Sequence, residues 1–331
     1  MNRFCLLVFK FGFTLARMLL AAIVSTQAIA QTWPVKPIRM VIGLPSGGGS
    51  DPLARALSQR LSTMWEQPVI VDNRPGVNTS LATDIVAKSS PDGYTLLFGV
   101  DMAFTLNPHL YAKLPYDPMK DFTPITQINT FSLVLVANPA LPANNVAELV
   151  SLAKSKPGKI TYASTGAGSH MHLLTSMLEN KAKVSLMQVP YKGIPQMMMA
   201  ATTGEVDLSW VGPSSAKPLV AAGKLKTIGF GALKRTPAMP DVPTFSESGY
   251  PAVEAAAWFG IVGPAGMPRS LVDRINKDVL AVINDPEFRK NEIANRGYEA
   301  TGLGPDEFGA LIKREFAARS EHVRLSGANL E

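Results

Sequence analysis

One cysteine and four histidines in 331 residues leave little material for thiol or metal chemistry. The cysteine, Cys5, lies in a stretch that reads as removed from the mature protein. The rest of the chain then has no disulfide, no thiol nucleophile and no cysteine metal ligand. Charged residues make up only 18%, spread without runs, and there is no low-complexity tract, which excludes large-scale disorder. Nor is there an uninterrupted apolar run of about 20 residues, because Lys10 and Arg17 break the N-terminal one; this excludes a spanning anchor there. No repeat of fixed period occurs, so solenoids are excluded as well.

What is present at the N-terminus has the order of a secretory signal peptide. Arg3, Lys10 and Arg17 come with no acid, an apolar run covers residues 18–24, and Ala28-Ile-Ala30 precedes Gln31. Residues 1–30 are therefore set apart from the fold. Without them 29 basic residues face 26 acidic ones, a net charge of +3 that is too mild and dispersed for nucleic-acid binding.

Hydrophobic residues are 46% of the chain, ample for a core and long enough for two domains. Short apolar strands alternate with amphipathic helices. Residues 39–44 read as a strand, 51–65 as a helix with Leu53, Leu57, Leu61 and Met64 on one face, and 68–72 as a second strand. Residues 81–88 read as a helix and 95–99 as a third strand. This order predicts an α/β fold with mainly parallel sheets flanked by helices. After a Pro-rich stretch (Pro115, Pro118, Pro124), the strand at 131–137 opens a second α/β unit. The expected division is 31–131 with 254–331 as one lobe and 132–253 as the other. Crossings near Phe131 and Ala256 would act as hinges.

The strongest local signal is Leu44-Pro-Ser-Gly-Gly-Gly-Ser-Asp-Pro52, a strand end, a triple glycine and a helix start. Pro52 suits the first helical position and Asp51 or Ser50 the N-cap. Glycines let backbone N–H groups turn to a common point, and the helix dipole adds positive potential there. Ala163-Ser-Thr-Gly-Ala-Gly-Ser-His170 repeats this logic with hydroxyls at Ser164, Thr165 and Ser169. If the two loops lie in different lobes, they face each other across a cleft and can hold a carboxylate from both sides.

Enzyme signatures are missing. The first loop lacks the Gly-Lys-Ser/Thr ending of a P-loop and the G-x-G-x-x-G spacing of a dinucleotide site, and no G-x-S-x-G elbow occurs. A hydrolase built on Ser46 or Ser169 would need a base beside the serine, and no pairing supplies one. His170 and His172 are two apart, so on a helix they form a poor metal pair; one reads as a cap or cleft residue. Met197-Met-Met199 reads as core packing rather than a thioether metal site. The chain is expected to need no cofactor or metal. A DNA-binding regulator of similar fold would carry an N-terminal helix-turn-helix, where a signal peptide stands instead.

Taken in order, these segments resemble the Bug family, the substrate-binding proteins of tripartite tricarboxylate transporters. The marks are Trp33-Pro-Val-Lys-Pro-Ile-Arg39, Pro45-Ser-Gly-Gly-Gly-Ser-Asp51, Asp72-Asn-Arg-Pro-Gly76, Pro91-Asp-Gly-Tyr-Thr-Leu-Leu97, Asn107-Pro-His-Leu-Tyr111 and Leu114-Pro-Tyr-Asp117. Val189-Pro-Tyr-Lys-Gly193, Gly223-Lys-Leu225, Pro240-Asp-Val-Pro-Thr244 and Trp258-Phe-Gly260 complete the set. The resemblance implies a two-lobed periplasmic binding protein fold of type II, a location in the periplasm and no catalysis. It also implies a monomer that binds a small-molecule carboxylate and delivers it to integral membrane subunits of a secondary transporter. Presentation of the ligand to a signalling receptor is the alternative. The ligand loops it implies are Ser46, Gly47, Gly48, Gly49 and Asp51 facing Ser164, Thr165, Gly166 and Ser169, with Tyr191 of the Val-Pro-Tyr-Lys-Gly segment beside them.

The departures bear on ligand identity. Where the family usually runs Ala-Gly-Gly-Asn, this chain has Val77-Asn-Thr-Ser80, so Asn78 and Thr79 make a bulkier wall. Where relatives that bind amino acids present an Asp to an ammonium group, this chain has Gly212. Asp101 can make a polar contact, and Met102 and Phe104 add apolar surface. A non-amino di-, tri- or aromatic carboxylate is the expected ligand.

Overall fold

A computed structural model describes residues 33–47, 49–251, 253–254 and 256–326. The expected signal peptide with Cys5, and Gly48 of the first loop, lie outside the described residues. In chain order the elements begin with β1 (Ile38–Ile42), α1 (Asp51–Trp65), β2 (Val69–Asn73), α2 (Ser80–Ala87) and β3 (Thr95–Val100). Two single turns follow, α3 (Met102–Thr105) and α4 (Asn107–Leu110), then β4 (Phe122–Phe131) and β5 (Val134–Ala137). Next come α5 (Val146–Ser155), β6 (Thr161–Ser164), α6 (His170–Ala182), β7 (Met187–Pro190), α7 (Ile194–Thr203), β8 (Leu208–Val211), α8 (Pro213–Ala221) and β9 (Lys226–Phe230). The chain closes with β10 (Ala257–Pro264), α9 (Arg269–Ile283), β11 (Glu299–Leu303) and α10 (Pro305–Ser326).

The strands form two sheets, β11-β4-β10-β3-β1-β2 and β7-β6-β8-β5-β9, so the α/β fold is two-lobed. Both sheets are mixed. The βαβ units pair in parallel, β1 with β2 and β3, and β6 with β7 and β8. Antiparallel pairing enters with the strands next to the crossings, β10 against β3 and β4, and β5 against β8 and β9. A strand that arrives from the other lobe has no crossover helix to set its direction, so it is free to run antiparallel.

Local sequence explains most elements. In α1, Pro52 sits in the first turn and Leu53, Leu57 and Leu61 are buried. Met64, expected on that face, is 46% exposed. Trp65, four residues after Leu61, takes the place instead and donates its indole N–H to Asp278 of α9 at 2.7 Å. The strand expected over 131–137 is two strands in different sheets, split between Phe131 and Val134. The length of β4 hides behind Pro124, which the sheet tolerates at a register shift opposite Val262. Met197 and Met198 are in the core, whereas Met199 is exposed. Among the described residues no helix is long and apolar enough to cross a membrane.

Every residue of β10 is buried. Its Trp258 packs edge-on against Phe308 of α10 and stacks on Phe104. Each such ring, fully buried, contributes on the order of 1.5–3 kcal/mol. This packing holds the last helix against the first sheet, and its flank also lies along α6 of the other lobe.

Candidate functional site

A cleft of about 840 Å³ opens between the lobes. The β1–α1 loop brings Gly43, Leu44, Pro45 and Gly49 to it, and the β6–α6 loop brings Thr165, Gly166, Ala167 and Ser169. The two glycine-rich loops thus form opposite walls. Asn78 and Thr79 precede α2 on the first wall, and Gly212, Ser214 and Ser215 open α8 on the second. Of the expected ligand residues, Gly49, Asn78, Thr79, Thr165, Gly166, Ser169 and Gly212 line the cleft.

The other described ones are turned elsewhere. Asp51 is buried and binds its own loop: it accepts from the Gly47 N–H at 3.0 Å, Arg55 at 3.0 Å and Asn73 at 2.9 Å. Burial opposes its ionisation, but the bonds from Arg55, Gly47 and Asn73 outweigh that and hold its carboxyl below the usual range. The start of α1 therefore already holds an anion, and Gly47 spends its N–H on it rather than on the cleft. Ser46 is exposed and leans on the same carboxylate at 3.4 Å. Ser50, at the N-cap position, makes no side-chain cap bond. Ser164 is fully buried and braces the second loop, accepting from the Gly166 N–H at 3.0 Å and from Gln188 at 2.7 Å. Gly166, at φ +111°, makes the turn that lets Ser169 donate back to its carbonyl at 2.7 Å and then cap α6. Tyr191 donates to Glu205 at 2.9 Å, away from the cleft. Phe104 is buried in the core, while Met102 does line the cleft.

Asp101 does not reach the cleft either. It is fully buried, and its Oδ2 meets His170 Nε2 at 2.9 Å while Oδ1 has no partner. His170, the first residue of α6, lines the cleft from the opposite lobe, so this pair joins the two lobes beneath it. His172 is half-buried and accepts the Gly168 N–H on Nδ1 at 3.1 Å; burial lowers its pKa. Behind Asp101, Glu315 of α10 accepts the Trp258 indole N–H at 2.8 Å. Burial raises the Glu315 pKa, and the Asp101 charge raises it further.

That shift has a consequence for stability. A raised folded-state value means the stabilising protonated form is present at low pH and is lost as pH rises through the folded pKa. Glu315→Gln keeps an acceptor for Trp258 and removes the charge. The variant should gain on wild type between pH 4.5 and 7, read from urea midpoints at both pH values. A gap that is constant or shrinks with pH would refute this.

Sequence reasoning missed much of the apolar floor. Phe131, Phe259 and Tyr298 pack together, with centroids 4.6 Å apart for Phe131–Phe259 and 5.6 Å for Phe131–Tyr298. All three line the cleft. The buried Tyr298 hydroxyl, pushed up to about 12 by burial, donates to the Gly49 carbonyl at 2.7 Å and anchors the first loop. Among the described residues, those lining the cleft include Lys192 and His170 but no Asp or Glu. Lys192 lies in the quoted Val-Pro-Tyr-Lys-Gly segment, so it carried a signal that pointed instead to its neighbour Tyr191. Among the described residues no group of three or more His, Asp and Glu is placed to hold a metal ion.

Two α/β lobes, a cleft at their junction and opposed backbone-rich loops define a solute-binding protein of the periplasmic type. Residues 53–323 match the tripartite tricarboxylate transporter family receptor, and the chain belongs to that family. It is similar to an R. palustris protein solved with adipate, 32% identical with a TM-score of 0.85, over 90% of this chain and 100% of that one. It is also similar to the periplasmic binding protein BugD, 30% identical with a TM-score of 0.83, over 90% and 100%. MatC from Rhodopseudomonas palustris, solved with bound malate, is 28% identical with a TM-score of 0.81, over 88% and 100%.

Proposed function

We propose that this protein is a periplasmic receptor that captures a small non-amino carboxylate and delivers it to the membrane subunits of a tripartite transporter. The observation that carries the reading is the charge of the cleft. Among the described residues it is lined by Lys192 with no Asp or Glu, and by hydroxyls at Thr165, Ser214 and Ser215 around an aromatic floor. A carboxylate can meet the cation and hydroxyls while its carbon body covers Phe131 and Phe259. No described side chain in the cleft offers an ammonium group a counter-ion. The similarity to proteins solved with adipate and malate supports the same class of ligand. The lobes, residues 31–131 with 254–331 and residues 132–253, close on it as a monomer, bending at the crossings near Phe131 and Ala256.

Calorimetry with mono-, di-, tri- and aromatic carboxylates, with glutamate and aspartate for contrast, tests this. Non-amino carboxylates should bind and the amino acids should not. Gly212→Asp is the internal control. No atom lies within 4 Å of a Cβ built there, and the backbone, φ −69°, accepts any residue. The added carboxylate should weaken carboxylate binding by about tenfold or more, at least about 1.4 kcal/mol, while the melting temperature holds. Tight glutamate binding by wild type, or indifference to Gly212→Asp, would overturn the reading.

A further inference from the structure

Asn78 and Thr79 adopt the left-handed backbone, φ 47° and 67°. This region is uncommon for any side-chain-bearing residue and an outlier for a β-branched one, whereas glycine enters it freely. The chain retains two side chains here against that cost. Thr79 is buried against Gly43 and fills the space a side chain there would need. Asn78 reaches across the cleft. Its Nδ2 donates to the Tyr111 hydroxyl at 2.9 Å and stands 3.5 Å from the carbonyl oxygen of Ala167. Tyr111 belongs to the first lobe and Ala167 to the loop before α6 in the second, and all three residues line the cleft.

A ligand atom hydrogen-bonded to both sides of such a gap would need about 2.7–3.2 Å on each side. At 3.5 Å in total, nothing passes between Asn78 and Ala167. The carboxamide is therefore a strut that bridges the two walls of the cleft at this point, held in place by Tyr111 and by a backbone with few alternatives. We infer that Asn78 is a specificity-determining residue that limits the length of the ligand at this point. The inference rests on the carboxylate reading above and adds a size rule to it. With glycine at this position the backbone strain disappears and the passage beside Ala167 opens.

The test is calorimetry with straight-chain α,ω-dicarboxylates of four, six and eight carbons on wild type, Asn78→Gly and Asn78→Ala. Wild type should favour the shorter acids. Both variants should raise the eight-carbon affinity relative to the four-carbon affinity by about tenfold. Melting temperatures should split: Asn78→Gly equals or exceeds wild type, and Asn78→Ala falls below Asn78→Gly, because alanine keeps the strained backbone without the bond to Tyr111. A length preference within twofold of wild type in both variants overturns the inference while leaving the carboxylate reading intact. A wild type that binds none of the three acids overturns the inference, and one that also binds none of the mono-, tri- and aromatic carboxylates overturns both.

Discussion

Gly43→Ala should lower stability by about 2–3 kcal/mol and remove ligand binding with it. A Cβ at this position would overlap that of Thr79 and come within 2.9 Å of its backbone Cα. A flexible side-chain tip could step aside, but Thr79 cannot. It is buried, its backbone is already left-handed, and its carbonyl accepts the Thr83 hydroxyl at 3.0 Å while its N–H donates to Gly76 at 3.1 Å. The overlap must therefore push the loop at Asn78 and Thr79 away from β1, and both residues form one wall of the cleft. Urea unfolding and calorimetry measure the two losses. Thr79→Gly added to Gly43→Ala should recover most of both, a coupling typical of residues in contact. A single variant within about 0.5 kcal/mol of wild type would show that the close approach is not tight.

His170→Ala should cost about 3 kcal/mol, because it strands the buried Asp101 carboxyl. The imidazole is the only side-chain partner that Asp101 has among the described residues, and Oδ1 already goes without one. Glu315 then adds a second acid close enough to feel the Asp101 charge. Asp101→Asn should cost less, since the amide oxygen still accepts from His170. Equilibrium denaturation of the two variants decides. If His170→Ala loses less than Asp101→Asn, the pair does not carry the lobe contact ascribed to it.

The elements that periodicity revealed are those whose buried face is regular. Leu53, Leu57 and Leu61 mark α1, and the apolar run of β3 marks a strand buried on both faces. β4 escaped notice because Pro124 interrupts it, and only the bulged pairing with β10 shows that a proline can sit there. β11 is short, partly exposed and pairs only with β4, so its five residues carry no apolar run to find. For the cleft, both glycine-rich loops were legible because they join strands to helices. The direction of each side chain was not. Asp51 and Ser164 turn back into their own loops, and Asp101 turns beneath the floor to His170.

By itself the sequence determined the α/β order, the family, the two loops that face the cleft and the absence of an acid at Gly212. These follow from local patterns: spacing of apolar residues, glycine next to a helix start, and a missing side chain. Only the tertiary structure decided which distant groups meet around and beneath the cleft. Tyr111 with Asn78, Tyr298 with Gly49 and His170 with Asp101 are separated by 33, 249 and 69 residues. Such pairs leave no periodic trace, because their contact depends on how segments far apart in the chain fold against each other and not on the spacing within either segment.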